Sequence, residues 1–162
     1  GHVDSYYAET ISIPLMLYIP KELSGNYDLK TLRKNLTRTT SNIDIAPTIV
    51  ELLKLQNNKD VTAISANYSG YSLFQTIPKD RALIIMNNNE IARFKVGISL
   101  IKDNYHYIHR TNIVPNREEL YDIKKDKTET NNLIEVIAKK DLKELMRSFE
   151  IYPVSLDYLP EK

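Results

Sequence analysis

Few side chains in this sequence could carry acid–base or ligand chemistry. Histidine occurs three times, at 2, 106 and 109, and cysteine not at all. An imidazole can move a proton near neutral pH, donate to an oxyanion or bind a transition metal. Metal binding needs ligands that converge. His106 and His109 sit in a stretch that reads as a strand, with opposite parity, so they point to opposite faces. They cannot close on one ion, and a structural or surface role is expected for both. Without thiols there is no disulfide, thiolate zinc site or cysteine nucleophile. Glycine-rich phosphate loops and G-x-S-x-G elbows are missing too. Asn35-Leu36-Thr37 and Asn67-Tyr68-Ser69 match the N-glycosylation pattern, but 14 asparagines make chance matches expected.

Composition narrows the options further. The 162 residues carry 22 Lys+Arg against 21 Asp+Glu, a net charge of +1, and 42% are apolar. That balance excludes a strongly basic nucleic-acid-binding protein and an acidic solvating tail. The eleven tyrosines are scattered and lack a basic groove, so they do not change this. One domain, or one plus a small appendage, is expected. No apolar run approaches the roughly 18 residues of a bilayer-spanning helix, so no membrane span is expected in this segment. The chain opens on Gly1-His2 rather than Met. It reads as a piece of something longer or as a cloning scar.

The apolar pattern predicts the elements that would position these groups. Residues 11–20 are almost continuously apolar and predict a buried strand from about Leu15, after Pro14. Residues 21–40 predict a solvated loop or a ragged surface helix. Ile45, Ile49, Leu52 and Leu53 share one helical face, with Pro47 in the first turn and Asp44 or Ser41 as cap. Gln56-Asn57-Asn58 would end that helix, and residues 57–80 read as loop. A short buried strand follows at 82–86, then an Asn87-Asn88-Asn89 turn. Phe94, Val96, Ile98 and Leu100 alternate as in a half-buried strand. Residues 102–104 turn the chain, and 105–110 return as a hairpin arm. A third extended piece lies at 119–123. Leu133, Ile137, Leu142, Leu145, Met146 and Phe149 predict a helix of about five turns capped by Asn131 or Asn132. The tail from Pro153 should be extended. The order suggests the edge of an α/β layer followed by a small α+β appendage.

Three segments, in their common order, resemble sulfatases, with a strand just upstream of the last. Gly1-His2 with residues 7–15 (YAETISIPL) resembles the family's "G-H … Y-x-E … I/V-P-L-I" stretch. Residues 41–49 (SNIDIAPTI) resemble "S-x-x-D-I/L-x-P-T-I/L", and residues 70–73 (GYSL) stand where the family has "G-x-S-L". Residues 119–133 (ELYDIKKDKTETNNL) resemble the terminal "E-L-Y-D-L-x-x-D-P-x-E-x-x-N-L", with Lys127 replacing the usual Pro. Residues 105–108 (YHYI) resemble the "K-Y-I" strand, with His106 in place of Lys. The likeness covers roughly residues 1–149 and points to the sulfatase branch of the alkaline phosphatase-like superfamily.

That resemblance implies an α/β fold: the C-terminal part of an alkaline phosphatase-like sandwich, with a small antiparallel-sheet-plus-helix subdomain. Residues 1–80 would end the catalytic domain and residues 81–162 would form the subdomain. It implies a metal-dependent hydrolase of sulfate (or phosphate) esters. The family's nucleophile, activated by a divalent metal (Ca, Mn or Zn) on Asp, Asn and His, lies upstream of these residues. No catalytic residue and no metal ligand would therefore come from this chain, and none of that metal would be bound by it alone. His2 is the one matching position, where the family places a His that donates to a sulfate or phosphate oxygen; otherwise it belongs to a scar. Glu9 would orient a turn, and Asp44 would cap a helix. The implied partners are the N-terminal half of the same protein and a small-molecule, lipid or glycan ester. The implied location is periplasmic, cell-surface or membrane-anchored. A phosphoethanolamine or phosphoglycerol transferase-like enzyme of the cell envelope is an alternative, as is a non-catalytic interaction module of the same fold. An unrelated α/β domain is a third. On the enzyme reading the isolated chain is inert, and its open sheet edge calls for a partner.

Overall fold

The computed structural model describes residues 6–88, 96–110 and 117–147. In chain order the elements are α1 (Ala8–Ile11), α2 (Leu29–Asn35), α3 (Ile45–Leu52), α4 (Lys59–Ser65), β1 (Ala82–Asn88), β2 (Val96–Lys102), β3 (Tyr105–Arg110), β4 (Arg117–Asp122) and α5 (Lys139–Arg147). They form two units. One is Leu15–Arg81; the other joins Gly1–Pro14 to Ala82–Lys162.

Alternating apolar residues pair the four strands into an antiparallel meander, β1-β2-β3-β4. The β2–β3 hairpin turns at Asp103-Asn104, with Asp103 at φ 55, a left-handed geometry that Asp tolerates. Leu100 lies opposite Tyr107, and Tyr107 opposite Leu120, so these side chains share a face. Together with Ile98 they are fully buried under Leu145, flanked by Leu133, Ile134, Ile137 and Met146. The opposite face carries Ile108 and Tyr121, covered by Tyr6. Gly97 lets Tyr6 approach: a Cβ there would lie 2.7 Å from the tyrosine hydroxyl. Both faces are therefore buried, not one as the alternation predicts, because Tyr6 and Tyr7 pack onto the second side.

The last helix begins later than its apolar spacing predicts. Asn132 does not cap it. Its side chain accepts from the N–H groups of Leu120 and Ile134, both at 3.0 Å, and Leu133 N donates to Leu120 O at 2.7 Å. Pinning residues 132–133 to the edge of β4 delays the helix until Lys139. The tail from Pro153 and Phe149 lie outside the described residues.

Leu15–Arg81 is helical, with 3-10 turns at Lys21–Asn26 and Asn42–Asp44. The strand expected from Leu15 is not formed, and Leu15, Met16, Leu17 and Tyr18 are exposed. A strand needs a neighbour for its backbone groups, and this unit supplies none among its described residues. The surface-helix reading of 21–40 is met by α2, capped by Asp28, whose carboxylate accepts from Lys30 N and Thr31 N at 3.0 Å. The loop expected over 57–80 is interrupted by α4. Asn58, which was expected to end a helix, starts one by accepting from Asp60 N and Val61 N.

Helix α3 forms where predicted, but its sides are reversed. Asp44 and Thr48 are buried, whereas Ile45, Ile49 and Leu53 are exposed. Twelve of the fifteen exposed large apolar side chains among the described residues belong to this unit.

Candidate functional site

His2 lies outside the described residues, so the site is approached through what holds the segment after it. Two carboxylates from the 119–133 motif reach consecutive residues of that segment. Tyr7 Oη donates to Glu119 Oε2 at 2.8 Å, and Ala8 N donates to Glu129 Oε2 at 2.6 Å. Glu119 also accepts from Tyr121 Oη at 2.9 Å and from Arg110 Nη1 at 3.0 Å. The Arg110 guanidinium sits 5.2 Å from the centre of the Tyr7 ring, and Tyr121 meets that ring edge-on.

Glu129 is buried and has φ 53, an uncommon backbone conformation for a side-chain-bearing residue. Asp126 builds the turn that imposes it, accepting from Asn131 N at 2.8 Å and Thr130 N at 3.0 Å. These bonds, the Asn131 N–H foremost, hold the Asp126 carboxyl below the usual carboxylate range.

The second oxygen of Glu129 meets His106 Nδ1, and His106 Nε2 lies 2.5 Å from Ser99 Oγ. A carboxylate only accepts, so Nδ1 carries a proton toward Glu129, and Nε2 is hydrogen-bonded to the serine hydroxyl. The residue types are those of an acyl-transfer triad. Ser99 is fully buried, however, and no substrate carbonyl can reach its oxygen. The chain Ser99–His106–Glu129–Ala8 N is therefore a buried polar tie between sheet and N-terminal segment.

His106 and His109 point to opposite faces, as their parity predicts, and neither is at the surface. His109 Nδ1 is buried with no partner among the described residues. Burial pushes its pKa below the usual histidine value, against a smaller opposite pull from Glu118. The unfolded chain therefore binds this proton more readily than the folded one. Stability is fully present above about pH 6.5 and falls as pH drops through that value toward the folded pKa, by up to about 1.4 kcal/mol per pH unit. Urea midpoints between pH 7.5 and 5.5 measure it. His109→Gln should flatten the profile, and an unchanged slope in that variant would exclude His109 as its source.

A cavity of 490 Å³ lies beside the clamp, lined by Tyr7, Ala8, Glu9, Ser12, Lys127, Thr128 and Glu129. Glu9 lines this space from an exposed position. Among the described residues no group of three or more His, Cys, Asp or Glu could hold a metal ion. Nor is any described helix long and apolar enough to cross a membrane.

In Leu15–Arg81 the expected cap, Asp44, does more than cap. It is fully buried and receives Ser41 N at 2.8 Å, Tyr71 N at 2.8 Å, and both Arg81 Nη atoms at 2.7 and 2.9 Å. Thr48 Oγ1 donates to Asp44 O and accepts from Leu73 N, and Asn35 binds the carbonyls of Leu73 and Gln75. The D-x-x-x-T and G-x-S-L segments thus meet in one polar core. Asn35 is committed to it and is no glycan acceptor.

Local sequence could not reveal Glu119, Glu129 or Arg81 as partners, because each acts across a gap. Tyr7 and Glu119 are 112 residues apart. The one signal was motif membership, which marked Glu119 and Glu129 without assigning them a task.

No protein-family model matches the chain, and no curated protein is significantly similar to it. Among solved structures, BT4656 in complex with its substrate D-glucosamine-2-N,6-O-disulfate is similar, with a TM-score of 0.54 and 24% identity over 75% of this chain and 26% of that one. A candidate sulfatase from Bacteroides thetaiotaomicron VPI-5482 gives a TM-score of 0.49 and 24% identity over 68% of this chain and 23% of that one. The chain spans about a quarter of the length of the structures it matches. With its helices, meander and closing helix in this order, the chain shares the fold of part of BT4656.

Proposed function

We propose that this chain is the C-terminal portion of a sulfatase-like, metal-dependent hydrolase of sulfate or phosphate esters. The observation that carries the reading is the likeness to BT4656 over only 26% of that protein. BT4656 acts on a disulfated amino sugar, which favours a sulfated sugar as the substrate class here. On this reading residues 1–80 end the catalytic domain and residues 81–162 form the small subdomain. His2 donates to an oxygen of the transferring group. The nucleophile and the ligands of a calcium, manganese or zinc ion belong to an N-terminal portion. That portion covers the apolar side chains that Leu15–Arg81 leaves exposed. A periplasmic, cell-surface or membrane-anchored location fits such substrates.

The test is an assay of the complete gene product and of the 162-residue chain on a chromogenic aryl sulfate, an aryl phosphate and glucosamine sulfates, with each of the three metals. The complete product should turn over a sulfate ester, His2→Ala should slow it at least about tenfold, and the short chain should be inert. Turnover by the short chain, abolished by His2→Ala, would overturn the reading. So would inactivity of the complete product on every ester.

A further inference from the structure

We propose that the 490 Å³ cavity beside the clamp binds a small zwitterion, an ammonium joined to a sulfate or phosphate monoester. The zwitterion follows from two charges in the cavity; the ester as its anionic end rests on the sulfatase-like reading above. The volume falls within the roughly 300–1,000 Å³ of small-molecule sites. Two segments far apart in sequence line it. One supplies Glu9 and Ser12, the other Lys127 and Thr128. Both are held in place. Glu129 accepts from Ala8 N, and Asp126 accepts from Thr128 Oγ1 at 3.3 Å and from the N–H groups of Thr130 and Asn131. The wall is therefore preformed, and a ligand need not order it. Glu9 and Lys127 are both exposed, and no ion pair joins them to each other or to any other described residue. A ligand of one sign would meet one attracting and one repelling group, whereas a zwitterion meets two attracting ones. Glu129 does not compete for the ammonium, because its two oxygens are taken by Ala8 N and His106. Ser12 and Thr128 can hydrogen-bond a ligand hydroxyl. Lys127 also stands where the motif it resembles has proline, so the turn itself has no need of an ammonium.

The test is a titration of the 162-residue chain, followed by amide chemical shifts. The probes are two zwitterions, glucosamine 6-sulfate and phosphoethanolamine, and two ligands of single charge, glucosamine and N-acetylglucosamine 6-sulfate. At least one zwitterion should saturate shifts at Glu9, Ser12, Lys127 and Thr128, and should bind at least about threefold more tightly than either single-charge ligand. Glu9→Gln should weaken that zwitterion about three- to tenfold and leave N-acetylglucosamine 6-sulfate bound no more weakly. Lys127→Gln should weaken it as much and leave glucosamine bound no more weakly. Tighter binding of glucosamine 6-sulfate than of phosphoethanolamine would assign a sugar ester as the ligand, and the reverse a short amino-alcohol ester. Both side chains are exposed and unpaired, so both variants should keep the parent's unfolding midpoint. No saturation by either zwitterion at about 10 mM, or a loss in a variant that is equal for all four ligands, would overturn the site. Neither result touches the hydrolase reading, because no turnover is measured. Inactivity of the complete product on every ester would in turn leave this binding intact.

Discussion

Arg81→Met should lower the unfolding free energy of Leu15–Arg81 by about 3–5 kcal/mol. The guanidinium binds both oxygens of Asp44, and the two side chains are 6% and 0% exposed. Removing the cation leaves a carboxylate in a dry site, still holding Ser41 N and Tyr71 N but uncompensated. The loss is therefore mainly the cost of a stranded charge, larger than the net worth of the pair. Asp44→Leu should be at least as damaging, because it also strands two backbone N–H groups and the arginine. Urea unfolding followed by amide exchange within this unit gives the numbers. A change below about 1 kcal/mol in Arg81→Met would mean that water reaches Asp44 and that the buried pair is not what organises the unit.

Gly70→Ala should cost at least about 3 kcal/mol. A Cβ at residue 70 would sit 2.0 Å from Ile43 O, 2.5 Å from its carbonyl carbon and 2.9 Å from Asp44 N. All three are backbone atoms of the turn that presents Asp44, so relief requires moving the turn and loosening Arg81. Gly25→Ala is the control. Nothing lies within 4 Å of its Cβ position, and the change should be neutral or slightly stabilising. Thermal unfolding of the two variants side by side decides the matter. Equal midpoints would show that the 43–44 turn yields at little cost.

The hairpin, its Asp103-Asn104 turn, the third strand and α3 were legible because each is a local pattern of apolar period and turn chemistry. The strand at Leu15 and the start of α5 were not, because tertiary partners decide both. Residues 15–18 have strand-forming side chains but no neighbouring strand in their unit, and Asn132 is drawn to β4. Helix α3 shows the limit within a correct assignment. Its apolar stripe predicts a buried face, yet Asp44 and Thr48 take the interior because Arg81 and Leu73 N satisfy them. The clamp was beyond reach for the same reason, since nothing near Tyr7 announces a carboxylate more than a hundred residues away.

That separation also governs how the protein is made. Tyr7 and Ala8 leave the ribosome before their seats, Glu119 and Glu129, which follow 112 and 121 residues later. The strap they form must stay unbound through synthesis of everything between. Joining it then carries the entropy of closing a very long loop, which slows folding more than it lowers final stability. The sheet side bearing Ile108 and Tyr121 is bare until then, so nascent chains stalled before Glu129 are the forms most exposed to aggregation and chaperone capture.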